Sequence, residues 1–152
     1  TINKNFNNKY SLVIVGSGTL YGDLANFIKK EDLQEKIFLV NATNNPYSYI
    51  VKSKVFVLSS IYEGYPNVLL EAQALKKKII STDCNYGPKE ILQYGKYGFL
   101  VKTGDYKNLG LTMAKALNTK NKTISLKNLR KRNSIEIITL KNFNLFLNLN
   151  EK

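Results

Sequence analysis

The chain predicts an α/β fold, a Rossmann-like parallel sheet with helices on both faces. Short apolar runs of strand length alternate with helical stretches along most of the sequence. Those runs are rich in Val, Ile and Leu throughout, as strands covered on both sides are. Gly16, Asn41, Ser59 and Asp83 follow strands, which places them at the sheet edge where open α/β sheets bind ligands.

The elements follow in order. Tyr10–Val15 is the first strand and stops at Gly16. Leu20–Lys30 is an amphipathic helix with Leu20, Leu24, Phe27 and Ile28 on one face. Ile37–Val40 is the second strand, and Asn45–Lys52 a short helix entered through Pro46. Val55–Leu58 is the third strand, Asn67–Leu75 the central helix, and Lys78–Thr82 the fourth strand. Pro88–Tyr94 reads as a helix ended near Gly95, Phe99–Val101 as a fifth strand and Asn108–Asn118 as another helix. Thr119–Ser125 is polar and reads as a linker, and Ser134–Leu149 has helical spacing at Ile137, Ile138, Leu140 and Phe143. The expected division is therefore a Rossmann-like unit over 1–118, truncated at its start, and a basic linker with a closing helix over 119–152.

Composition bounds the chemistry. A length of 152 residues is that of one domain. No apolar run reaches membrane-spanning length, and Thr1–Lys9 is polar and Asn-rich, unlike a signal peptide. Cys84 is the single cysteine, which fits a reducing compartment and reads as a small filler near the binding edge. There is no histidine, so chemistry must rest on carboxylates, lysines, hydroxyls and the backbone. The net charge is +12, and residues 119–152 hold half of it. That dense basic segment is either a solvated helix or a contact for an anionic membrane at the inner, cytoplasmic face. It has no interleaved aromatics of the kind that stack bases, so no nucleic-acid partner is expected.

The chain turns on Ser59 to Ala72. The third strand leads into a loop broken at Gly64 and Pro66, then into a helix. Pro66 suits a first helical position, where its missing N–H has no intrahelical partner to lose. The free N–H groups of such a helix start form an anion site. Glu63 lies in the loop and Glu71 about one turn into the helix. Carboxylates beside an anion site make sense if they accept hydrogen bonds from vicinal hydroxyls. A phosphate held between two sugar rings describes a nucleotide-sugar. Gly16-Ser17-Gly18 would let backbone approach the same ligand. A nicotinamide dinucleotide fits poorly, because Asn41 stands where an acidic ribose ligand belongs.

Glu63-Gly64-Tyr65-Pro66, seven residues between the two glutamates, then Glu71-Ala72, resembles the signature of the family-four retaining glycosyltransferases (glycosyl transferases group 1). Asn45-Pro46-Tyr47, Gly87-Pro88-Lys89-Glu90-Ile91, Gly98-Phe99-Leu100-Val101 and Thr103-Gly104-Asp105 extend the resemblance in the same order. It implies the carboxyl-terminal half of a GT-B fold. It also implies a donor site of Gly16, Gly18, Val40, Asn41, Glu63, Gly64, Tyr65, Pro66, Asn67, Val68, Leu69 and Glu71. In that site Glu71 accepts from the ribose hydroxyls. Glu63 is the catalytic carboxylate and holds the donor sugar. Backbone N–H groups at Asn67, Val68 and Leu69 face the diphosphate or sugar, and the base lies near Val40 and Asn41. No cofactor or metal is implied. The implied reaction moves a hexose-type sugar from a nucleoside-diphosphate sugar to a glycan or lipid-linked acceptor.

One departure bears on activity. Family members open this domain with an earlier strand that is central in the sheet and carries an Arg and a Lys toward the diphosphate. Here a polar nine-residue stretch stands before the first strand, and the amino-terminal acceptor domain has no counterpart. The expectation is a truncated product with little transferase activity by itself and with apolar edges favouring association. The alternative expectation is an inactive remnant that binds a nucleotide or a protein.

Overall fold

The computed structural model describes residues 10–134. The polar start, and all but the first residue of the expected Ser134–Leu149 helix, lie outside the described residues. Among the described residues five strands alternate with five helices, and a sixth helix follows. The strands are β1 (Leu12–Val15), β2 (Ile37–Val40), β3 (Val55–Leu58), β4 (Lys78–Thr82) and β5 (Phe99–Val101). The helices are α1 (Tyr21–Lys30), α2 (Tyr47–Lys52), α3 (Asn67–Ala74), α4 (Pro88–Ile91), α5 (Tyr106–Asn118) and α6 (Leu126–Arg132).

Among the described residues all pairing is parallel, in two sheets rather than one. β1 pairs with β2 from Leu12↔Ile37 to Val15↔Val40. β4 lies between β3 and β5, with Val55↔Lys78 and Ile80↔Phe99 fixing the registers. Among the described residues no strand joins β1 to β3. The break falls where a doubly wound sheet of order 3-2-1-4-5-6 places its first strand. The ring of Tyr10, just before β1, lies 5.4 Å from the Lys54 Nζ, just before β3, so the strand beginnings approach one another across the break.

The core is built on β4. Side chains alternate across a strand. Ile79 packs with Ile50, Leu69, Ala72, Ile91 and Leu92 of the helices on one side. Ile80 packs with Val101 and Ala116 toward α5 on the other. Burial of each such side chain contributes about 1.5–3 kcal/mol. The β1–β2 ladder is less covered: the cross-strand pair Val13 and Phe38 is 45% exposed at both residues.

Three departures from the expected helices stand out beside shifts of one or two residues at the starts of α1, α2 and α5 and the end of α3. Pro66 caps α3 in an extended conformation, φ −69° and ψ 98°, instead of occupying its first turn. Pro88 does sit at the start of α4. That helix stops at Ile91 rather than Tyr94, because Gln93, Tyr94 and Gly95 take positive φ values of 47°, 53° and 88°. A left-handed run cannot continue a right-handed helix. α6 falls just beyond the expected linker Thr119–Ser125, where no element was expected. Ser125 caps it by accepting from the Asn128 N–H at 3.2 Å.

Candidate functional site

The loop from Ser59 to Pro66 carries the first glutamate, and it is tied down from several sides. The Ser60 hydroxyl donates to Glu63 Oε1 at 2.6 Å, a short bond of the charge-assisted kind. Thr82, buried at the end of β4, donates its hydroxyl to the Ser60 carbonyl at 2.5 Å. Gly87 backs the same loop, in left-handed backbone at φ +84°. A Cβ there would stand 2.5 Å from the Gly64 carbonyl oxygen and 2.6 Å from Pro66 Cδ. The Tyr65 hydroxyl donates to Asn133 Oδ1 beyond α6 at 3.3 Å. Burial raises the Tyr65 phenol above its ordinary value of 10.0; the Glu90 carboxylate adds to the rise and the Arg132 guanidinium opposes it.

α3 begins immediately after this loop. Its first turn presents the Asn67 and Val68 N–H groups, for which an α-helix has no intrahelical acceptor. The Leu69 N–H is different: it donates to the Pro66 carbonyl at 3.0 Å, and the Leu69 side chain is fully buried in the core. Glu71 stands in the second turn, half-buried. It lines an open groove of about 560 Å³ with Leu70, Ala74, Leu129, Arg130, Asn133 and Ser134. Glu63 is not among the residues of that groove.

On the other ladder the Gly16 N–H donates to the Val40 carbonyl at 2.9 Å, so these two site candidates meet. Asn41 follows, exposed. Space is open where side chains of Gly16, Gly18 and Gly64 would stand, with no atom within 4 Å. Asp83 forms an ion pair with Lys89 at 3.1 Å, and Cys84 is buried and free.

Sequence reasoning did not single out Ser60, Thr82, Gly87 or Asn133 as supports. Gly87 carried a usable signal, since a glycine before Pro88 at a helix start marks a special turn. Thr82 and Ser60 are far apart in sequence and carried none.

A sheet with helices on both faces, its small and acidic groups gathered where the strands end, defines an α/β unit that binds its ligand at that edge. The chain belongs to the glycosyl transferases group 1, whose family model matches residues 1–134, and its fold is that of the carboxyl-terminal half of a GT-B enzyme. It is 40% identical over 104 residues to an uncharacterized glycosyltransferase of Methanocaldococcus jannaschii, covering 60% of this chain and 26% of that one. It is 38% identical over 91 residues to a Campylobacter jejuni enzyme, N-acetylgalactosamine-N,N'-diacetylbacillosaminyl-diphospho-undecaprenol 4-alpha-N-acetylgalactosaminyltransferase, covering 60% and 25%. Among solved structures, a mutant of Staphylococcus aureus TarM in complex with fondaparinux, alpha-GlcNAc-glycerol and UDP superposes with a TM-score of 0.78 at 25% identity, over 95% of this chain and 30% of that one. A Rickettsia africae glycosyltransferase superposes at 0.74 with 21% identity, over 95% and 41%, a likeness of fold alone. The chain thus spans about a quarter of the length of these curated relatives.

Proposed function

We propose that this chain is the donor-binding half of a retaining glycosyltransferase, and that it binds a nucleoside-diphosphate sugar at the carboxyl ends of its strands. The observation that carries the reading is the placement of Glu63 and Glu71 before and after the start of α3. The first-turn N–H groups of Asn67 and Val68 suit an anionic diphosphate. Glu71 accepts hydrogen bonds from the ribose hydroxyls, and Glu63 accepts from the donor sugar. Gly16 and Gly18 admit the ligand's backbone-facing side, with the base near Val40 and Asn41. As the sugar departs, negative charge grows on the diphosphate, and fixed donors at a helix start stabilise it.

The named relatives support a sugar donor. The C. jejuni enzyme is named for adding N-acetylgalactosamine to an undecaprenol-linked saccharide. A related S. aureus enzyme is named a poly(ribitol-phosphate) alpha-N-acetylglucosaminyltransferase. The acceptor of this protein is accordingly a glycan or a lipid-linked sugar, and the donor sugar is of hexose type. Transfer requires a facing amino-terminal domain, so the 152-residue chain by itself turns over little or no donor. Among the described residues no helix is long and apolar enough to cross a membrane. Lys120, Lys127, Arg130 and Lys131 are exposed and suit a peripheral contact with an anionic membrane at its cytoplasmic face. Arg132 is engaged differently, donating to the Glu90 and Ile91 carbonyls at 3.2 and 3.3 Å.

A thermal-shift series with UDP, GDP and ADP tests the reading. Stabilisation by one nucleotide, abolished in Glu71→Ala, is expected. A flat response to all three contradicts it and favours an inactive remnant of the fold.

A further inference from the structure

We infer that Thr82 and Gly87 are positioning residues for the acidic loop and set where the Glu63 carboxylate stands, an inference that rests on Glu63 being a donor-sugar ligand. A carboxylate in a loop containing glycine has many conformations to lose before it can bind. This loop is held to the most buried strand of the sheet. Ile80, Ser81 and Thr82 of β4 are buried, so the Thr82 hydroxyl is a fixed point. It holds the Ser60 carbonyl, and the hydroxyl of the same Ser60 holds Glu63 Oε1. The chain of contacts therefore runs from the core strand to the carboxylate through one serine.

Gly87 acts on the following residues of the loop. Its Cα lies against Gly64, Tyr65 and Pro66 so closely that a Cβ has no room. The blocking atoms are a backbone oxygen and a proline ring carbon, neither of which can rotate away. The positive φ disfavours a side chain independently. Any residue but glycine at 87 must displace the loop or the start of α4. Glu71 lies farther from this clamp, in the second turn of α3, and makes no contact with Thr82 or Ser60 through which the Glu63 support runs.

The two glutamates therefore separate in a binding experiment. Titration calorimetry on the 152-residue protein with UDP, and with UDP-N-acetylglucosamine and UDP-galactose, gives the affinity added by the sugar. Thr82→Val keeps the shape and removes the hydroxyl. It is expected to weaken the tighter UDP-sugar a few-fold while UDP binding is unchanged, and Thr82→Ser is expected to keep the sugar increment. Gly87→Ala should lower the sugar increment as Thr82→Val does and should also weaken UDP, because the Pro66 that its Cβ would meet caps the helix start carrying the Asn67 and Val68 N–H groups. Hydrogen exchange of the 60–65 amides should accelerate in both variants while α5 is unchanged. Equal losses for UDP and UDP-sugar in Thr82→Val, or Thr82→Val binding like the wild type with unchanged exchange, overturn the inference and leave the donor reading standing. A wild type that binds neither UDP nor a UDP-sugar, and is stabilised by neither GDP nor ADP, overturns both.

Discussion

The Ser60 hydroxyl donates to Glu63 Oε1 at 2.6 Å, three residues apart on one loop. A carboxylate oxygen has more than one lone pair, so this bond orients Glu63 and still leaves acceptor capacity for a ligand hydroxyl. In the donor-binding account the serine is a support and the glutamate is the contact. Ser60→Ala should therefore weaken UDP-sugar binding by a few-fold, whereas Glu63→Ala should lose about tenfold or more, since hydrogen bonds to charged groups contribute about 1.5–3 kcal/mol. Calorimetric titration ranks the two variants. A Ser60→Ala loss exceeding that of Glu63→Ala would contradict the assigned roles.

The raised Tyr65 phenol makes a prediction about alkaline stability. Its folded-state pKa lies above the unfolded value of 10.0, so the folded chain holds the proton more tightly. The associated stability is complete below pH 10 and is lost as pH rises through the folded value. Tyr65→Phe should flatten the decline in urea-unfolding stability above pH 10 and leave the curve between pH 7 and 9 parallel to that of the wild type. An unchanged slope above pH 10 would remove Tyr65 as its source.

Core and buried-polar positions should respond differently. Ile80 is fully buried between β3, β5 and α5, and Ile80→Ala should cost about 2–5 kcal/mol. Gln73 donates from Nε2 to the Ile91 carbonyl at 3.2 Å, while its Oε1 is buried with no protein partner. Gln73→Met removes that orphaned acceptor as well as the bond, so the change should stay within about 1 kcal/mol of neutral. Denaturant midpoints at constant slope measure both.

The exposed pair Val13 and Phe38 gives the β1–β2 ladder an apolar face, next to edges of β1 and β3 that pair with no described strand. Such edges and faces promote association. The 152-residue chain should self-associate at micromolar concentration in sedimentation velocity, and Val13→Thr with Phe38→Thr should reduce it. A monomeric wild type under these conditions would show that the face is tolerated alone.

The strands were the legible part of this molecule. Val55–Leu58 and Lys78–Thr82 are apolar runs bounded by polar or turn residues, and local pattern suffices to find them. The family motif likewise placed Glu63 and Glu71 on the loop and helix where they stand. The division into two sheets was not legible in the alternation of elements, because pairing depends on lateral neighbours that periodicity does not encode. α6 went unread because Leu126-Lys-Asn-Leu-Arg-Lys-Arg132 is mostly polar and docks through Arg132 and Leu129 rather than a broad apolar stripe. The Leu69 N–H was expected to face ligand, yet the tight first turn of α3 returns it to Pro66.

The most direct measurement is a crystal structure of the protein soaked with the UDP-sugar it binds most tightly. The account predicts Glu71 within hydrogen-bond distance of the ribose hydroxyls and Glu63 within that distance of the sugar, with the diphosphate over the Asn67 and Val68 N–H groups. A nucleotide bound elsewhere, with Glu71 remaining turned to the α6 groove and Glu63 to Ser60 alone, would contradict it.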